Sequence, residues 1–177
     1  MQRLSWLGIA AALLLVGCVN IPDSYAPPIQ RNPQYSPESH SVSHFVSMGG
    51  LNPEDFIVRD ILPGDPGSTW RWTGKRPELR FQLSFTNDLR FLMDFVVPEI
   101  TFAQRGPVTV SVFVNGKLLD KVRCDKPGEV NFNKPVPADW LRADAPTLVA
   151  AEIDKVWVAP ADGAKLGFIL SRAGFVQ

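Results

Sequence analysis

The sequence predicts an all-β chain, an antiparallel β-sandwich, set behind a short apolar leader and a proline-rich tether. Three observations carry this reading. Sixteen prolines and 13 glycines punctuate the 177 residues and leave little room for long helices. Several short runs alternate apolar with polar residues, the period of a strand that buries one face. No helical period is sustained once the leader has ended.

Glu78 to Phe85 alternates strictly, with Leu79, Phe81, Leu83 and Phe85 on one face and Glu78, Arg80, Gln82 and Ser84 on the other. Val108, Val110, Val112 and Val114 repeat the pattern, and Asn115-Gly116 then leads into a second run, Lys117 to Cys124. That is the signature of a β-hairpin. A two-residue loop would put Lys121 and Arg123 on the valine face. A three-residue loop, Val114-Asn115-Gly116, would pair Val112 with Leu118 and Val108 with Val122. We favour the second, because a one-residue shift flips every side chain and this one keeps the face mostly apolar. It leaves Asp120 pointing inward. Further strands are expected at about 43–48, 54–61, 69–73, 90–97, 129–134, 147–158 and 166–176, and one helical turn over Pro137–Leu141. Cys124 reads as a small apolar residue on its strand.

The order of these segments resembles a known group. GPVTVSVFVNGKLL, a proline-bounded PVPADWL, TLVAAEID and a closing LGFILSRAGF are similar to the back half of galactose-binding-like jelly rolls, the sandwich shared by many carbohydrate-binding modules. The likeness covers Gly106 to Val176 and rests on packing and turn signals. It implies a jelly-roll-like sandwich; many functions share that fold.

The leader carries a second resemblance. Arg3 is followed by 14 uncharged residues, Leu4 to Gly17. That is short of the roughly 20 needed to span a bilayer and suits a signal peptide. It ends Leu15-Val16-Gly17-Cys18, which resembles the lipobox of bacterial lipoproteins. The resemblance implies cleavage before Cys18 and acylation of that residue, so that acyl chains hold the protein on a membrane. Val19, in place of an aspartate, implies the outer membrane. With Cys18 lipidated, Cys124 has no disulfide partner in the mature chain. Residues 19–40 hold Pro22, Pro27, Pro28, Pro33 and Pro37 and no hydrophobic period. They predict an extended spacer that reaches up to ~70 Å. The expected organisation is therefore signal peptide 1–17, lipidated Cys and tether 18–40, and sandwich 41–177.

Charge excludes one class of partner. Lys+Arg and Asp+Glu number 18 each, and no basic run marks a nucleic-acid binder. His40 and His44 are the only histidines, stand outside any helix pattern, and read as linker residues rather than a metal pair. No nucleophile, phosphate-loop or metal motif is present, and no cofactor is expected. Trp70 and Trp72, two residues apart in STWRWTGKR, and Trp140 in its turn are candidate sugar-stacking rings, with Arg71 as a hydrogen-bonding neighbour. The competing use of such rings is core packing, which suits Trp72 and Trp157. Asp94 with Glu99, and Glu152 with Asp154, are carboxylate pairs of the kind glycoside hydrolysis uses when held about 5–10 Å apart.

These features predict a membrane-anchored envelope lipoprotein whose sandwich is a non-catalytic binding domain for a glycan or an envelope protein. The alternatives are an envelope hydrolase built on those carboxylates and a structural part of an envelope assembly.

Overall fold

Alternation decides which side of each strand faces the core, and it positions the strands of the computed structural model, which describes residues 42–177. The leader, Cys18, Val19, the tether and His40 lie outside the described residues. In chain order the elements are β1 (Phe45–Ser47), β2 (Ile57–Ile61), β3 (Arg71–Phe81), β4 (Arg90–Val97), α1 (Glu99–Arg105), β5 (Val108–Val114), β6 (Lys117–Cys124), β7 (Gly128–Pro135), β8 (Thr147–Ile153), β9 (Trp157–Val158), β10 (Lys165–Leu166) and β11 (Ile169–Val176). Short 3₁₀ turns at Pro53–Asp55 and Ala138–Trp140 complete the set.

The strands form the antiparallel, jelly-roll-like sandwich that the pattern predicts. One layer runs β1–β11–β4–β7 and the other β2–β3–β8–β5–β6. β3 belongs to both: Arg71 and Trp72 pair with Leu170 and Ile169, whereas Glu78–Phe81 pair with Ala150–Thr147. Thr73 secures the crossing. Its hydroxyl donates to Phe168 O at 2.9 Å and accepts from Phe168 N at 3.1 Å. Gly167 sits so near β3 that a Cβ there would lie 2.3 Å from Gly74 O.

The inward residues are those the alternation assigns. Val108, Val110, Val112 and Val114 face Phe91, Met93, Phe95 and Val97 from the opposite layer, all buried. Phe81 meets Phe91 and Phe175 edge-on at 6.2 and 5.6 Å, and Phe95 meets Phe168 at 4.9 Å. Each such ring contributes about 1.5–3 kcal/mol through burial, with a further ~0.5–1.5 kcal/mol where ring pairs are well placed.

Five details differ from the sequence expectation. The hairpin loop has two residues, Asn115 and Gly116, at φ 48° and 79°, and pairs Val114 with Lys117. Two left-handed residues in sequence suit a loop whose twist matches the strands. A bulge then shifts the register, so that Leu119 is the extra residue and Val112, Val110 and Val108 face Asp120, Val122 and Cys124. The apolar face survives by bulging rather than by a longer loop. The inward Asp120 is matched by Lys134 of β7 at 2.7 Å.

The expected strands 69–73 and 78–85 are a single strand that ends at Phe81. Leu83 remains buried, but the backbone leaves the sheet before Phe85, which is 48% exposed. Segment 147–158 breaks into β8 and β9, and 54–61 opens with a 3₁₀ turn. α1 was not expected. Pro98 precedes it in extended conformation, and Gly106 at φ 68° ends it. Seven residues are too few to show a helical period.

Candidate binding face

The outward residues of β4, β7 and β11 build the most developed polar site among the described residues. On β4 these are Arg90, Leu92, Asp94 and Val96. On β7 they are Glu129, Asn131 and Asn133. The register places Arg172, Asp94 and Asn131 in one row across three strands. Arg172 Nε donates to one oxygen of Asp94, and Asn131 Nδ2 donates to the other. One row on, Asn133 Oδ1 accepts diagonally from Arg90 Nε at 2.8 Å.

A bulge puts Arg172 there. Leu170 pairs with Phe95 and Arg172 with Asp94, so Ser171 is an extra residue in β11. In a regular strand that kept Ser171, Arg172 would fall opposite Met93 and share the inward parity of Leu170. Bulges of this kind re-aim side chains and occur beside functional sites. Here the bulge turns Arg172 outward while Ala173 and Phe175 stay buried in the core.

The row lies in an open depression of about 550 Å³, lined on its polar side by Asp94, Glu129, Asn131, Ser171 and Arg172, with Val96 beside them. That volume is in the range of small-molecule sites. Asp94 is mostly covered, its side chain 21% exposed, whereas that of Arg172 is 53% exposed. Each Asp94 oxygen retains a lone pair beyond the bond it accepts, and the terminal nitrogens of Arg172 remain donors. Glu129 is exposed at the rim. The depression thus offers fixed acceptors and donors side by side, held by bonds between strands rather than by loops.

The tryptophans are placed elsewhere and are not brought together. Trp70 precedes β3, is 42% exposed, and accepts from Ser68 Oγ through its carbonyl at 2.8 Å. Arg71 is buried against Gly64 and paired with Glu54 at 2.7 Å. Trp72 stacks on Trp157 at 6.4 Å, so both are held in packing, as the alternative reading for them had it. The indole Nε1 of Trp157 is buried without a partner. Trp140 lies at the β5–β6 hairpin, where Asn115 Nδ2 donates to its carbonyl at 2.7 Å and Lys117 Nζ stands 5.3 Å from its ring. Trp72 pairs at the start of β11, whereas the hairpin lies beside the start of β8, at the far end of the strands.

The carboxylates lie on or next to three elements, with Glu152 and Asp154 two residues apart. Asp94 is in the row described above. Glu99 opens α1. Glu152 lies on the outer face of the other layer, paired with Arg76 at 2.6 Å, and Asp154 accepts from Thr109 N at 2.8 Å. Cys124 is buried, and burial, with Asp125 and Asp154 nearby, pushes its thiol pKa up. That is the inert character expected of a small core residue. His44 is exposed and gives its carbonyl to Phe175 N.

Glu129, Asn131, Ser171 and Arg172 were not singled out from sequence. The signal for β7 was present in EVNFNK, where polar residues alternate with Val130 and Phe132. For β11 it was the adjacent polar pair Ser171-Arg172 inside an apolar alternation.

No protein-family model and no curated protein matches the chain. Solved structures do. An acetyl xylan esterase from the rumen bacterium Butyrivibrio proteoclasticus is 13% identical with a TM-score of 0.43, the match covering 76% of this chain and 32% of that one. A family 35 carbohydrate binding module from Clostridium thermocellum is 11% identical with a TM-score of 0.41, covering 70% of this chain and 93% of the module. An exo-beta-1,3-galactanase from Phanerochaete chrysosporium is 12% identical with a TM-score of 0.40, covering 77% and 29%. The chain spans about a third of the length of the esterase. All three TM-scores lie below 0.5, too low to transfer any residue's role.

Proposed function

We propose that this chain is an envelope lipoprotein, anchored by acyl chains on Cys18, whose sandwich binds a glycan without catalysis on the outer face of the β1–β11–β4–β7 layer. The carrying observation is the Arg172–Asp94–Asn131 row over its depression. Adjacent sugar hydroxyls each donate and accept. A carboxylate flanked by a guanidinium and an amide meets both needs at once, and charge-assisted bonds are the strong ones. Ion pairing and strand anchoring fix these groups before a ligand arrives, which reduces the ordering cost of binding. The resemblance of Gly106–Val176 to carbohydrate-binding jelly rolls points the same way.

The non-catalytic reading is supported by the bonds that Asp94, Glu152 and Asp154 already make. The anchored reading is supported by the Leu15–Cys18 motif and the proline spacer, and Val19 favours the outer membrane. Mass spectrometry of the mature N-terminus is expected to show a cut before Cys18 and an acylated cysteine; an unmodified Cys18 contradicts the anchor. A glycan array probed with the mature protein is expected to give hits that Asp94→Ala abolishes. An empty array, or hits indifferent to Asp94, contradicts the binding site.

A further inference from the structure

Two outward rows of different character lie side by side on this face. One is the polar row of Arg172, Asp94 and Asn131. In the next, Ile169 of β11 pairs with Val96 of β4. Both aliphatic side chains point outward, since their neighbours Leu170 and Phe95 are buried in the core, and both remain half-buried rather than covered. Val96 lines the same depression as the polar row. It stands two residues along β4 from Asp94, about 7 Å at ~3.3 Å per residue. Charge does not single out a ligand here. Asp94 is held by Arg172, and Glu129 also lines a neighbouring depression with Lys126 and Arg123. Discrimination then falls to the pattern of hydrogen bonds and to apolar contact.

We propose that this face recognises N-acetylated sugars, with the acetamido group laid from the polar row onto Val96 and Ile169. The inference rests on the glycan reading above and narrows it to a sugar class. The sugar ring sits on the polar row, where a hydroxyl donates to a free lone pair of Asp94. The acetamido carbonyl accepts from a terminal nitrogen of Arg172, which remains a donor while Nε is held by Asp94. A trans amide sets its two flanking carbons about 3.8 Å apart, so the acetyl methyl stands that far from the ring carbon that carries it. A carbon contact of about 4 Å then closes the gap to Val96. A hydroxyl at the same ring position is shorter and leaves the aliphatic strip uncovered. Burying one methyl group favours the acetylated sugar about fourfold.

The test uses the mature full chain in detergent with four sugars: cellobiose, N,N′-diacetylchitobiose, chitobiose without its acetyl groups, and glucuronate. The native protein is expected to bind the diacetylated disaccharide about fourfold more tightly than cellobiose, with the deacetylated form and glucuronate weaker than the acetylated one. Saturation-transfer NMR on the same native complex is expected to give its strongest signal at the acetyl methyl. The double variant Val96→Thr, Ile169→Thr keeps β-branched side chains on both strands, and it is expected to fold by circular dichroism and to abolish the preference. Cellobiose or glucuronate bound as tightly as the acetylated sugar, a silent acetyl methyl, or a preference unmoved in the folded double variant overturns the acetamido reading and leaves the glycan reading standing. Binding to none of these sugars, together with an empty glycan array, overturns both.

Discussion

The two outer faces of the sandwich hold similar chemistry and put it to different ends. On the β2–β3–β8–β5–β6 layer, Arg76 pairs with Glu152 at 2.6 Å and lies over the Phe113 ring at 4.8 Å. Arg59 pairs with Glu78 at 2.8 Å. Leu118 and Leu148, 44% and 39% exposed, flank these groups. The guanidinium of Arg76 is covered by a ring on one side and held by a carboxylate through one terminal nitrogen, while its Nε is buried without a partner. On the opposite layer, the Asp94 pair has no ring beside it, sits in a depression, and keeps open lone pairs and donors. An arginine–carboxylate pair on a sheet therefore says little by itself. What surrounds it decides between cross-strand glue and a binding surface.

The largest effect expected concerns the core side of β11, where Phe175 is buried against Phe81 and Phe91. Phe175→Ala is expected to lower stability in denaturant by about 3–5 kcal/mol. Deleting Ser171 is expected to cost far less, because Leu170 and Arg172 then follow one another with opposite parity, so that Arg172 stays outward and Ala173 and Phe175 stay in the core. A deletion variant as unstable as Phe175→Ala would contradict the bulge.

Asp94→Ala comes next. It strips Arg172 and Asn131 of their common acceptor, and each charged hydrogen bond is worth about 1.5–3 kcal/mol. Glycan retention is expected to drop tenfold or more while the circular dichroism spectrum stays native.

Arg76→Ala probes the other face. The pair is partly exposed, so the loss in urea unfolding should stay near 1 kcal/mol, with glycan binding unchanged. If Arg76→Ala and Asp94→Ala reduce binding equally, the contrast between the faces fails.

The smallest effect concerns an ion pair that joins the two layers, Asp120 of β6 with Lys134 of β7. The bond from Lys134 holds the Asp120 carboxyl below the usual aspartate range. A depressed native pKa adds stability above the unfolded value, about 3.9, and that stability is lost as pH falls through the lower native one. Asp120→Asn should therefore flatten the unfolding midpoint between about pH 5 and 3 and leave it unchanged when the ordinary protein is already acid-titrated.

Much of the sandwich was legible because its inward residues alternate cleanly in β4, β5 and β7. What escaped were single-residue insertions. Leu119 and Ser171 each reset a register, and a bulge depends on a partner strand that lies far along the chain. Phe85 continued the alternation of Leu79 and Phe81 but is exposed, because the chain turns away after Phe81 and pattern alone does not show where pairing stops. The tryptophans drew attention through their chemistry, yet Trp72 and Trp157 stack on each other, and Trp140 belongs to the hairpin at the other end of the strands. Asp94 was visible as a polar residue in an apolar run. Its partners were not, since Asn131 and Arg172 stand 37 and 78 residues away and meet it only through sheet register.

The most direct test of the binding face is an NMR titration of the mature protein with the strongest array hit. The expected result is perturbation of the Asn131 side-chain amide, the Arg172 Nε–H and the backbone amides around Asp94 and Glu129, with the indole signals of Trp70, Trp72, Trp140 and Trp157 unmoved. Perturbation centred on those indoles, or on the Phe113 face, with the Asn131 amide silent, would contradict it.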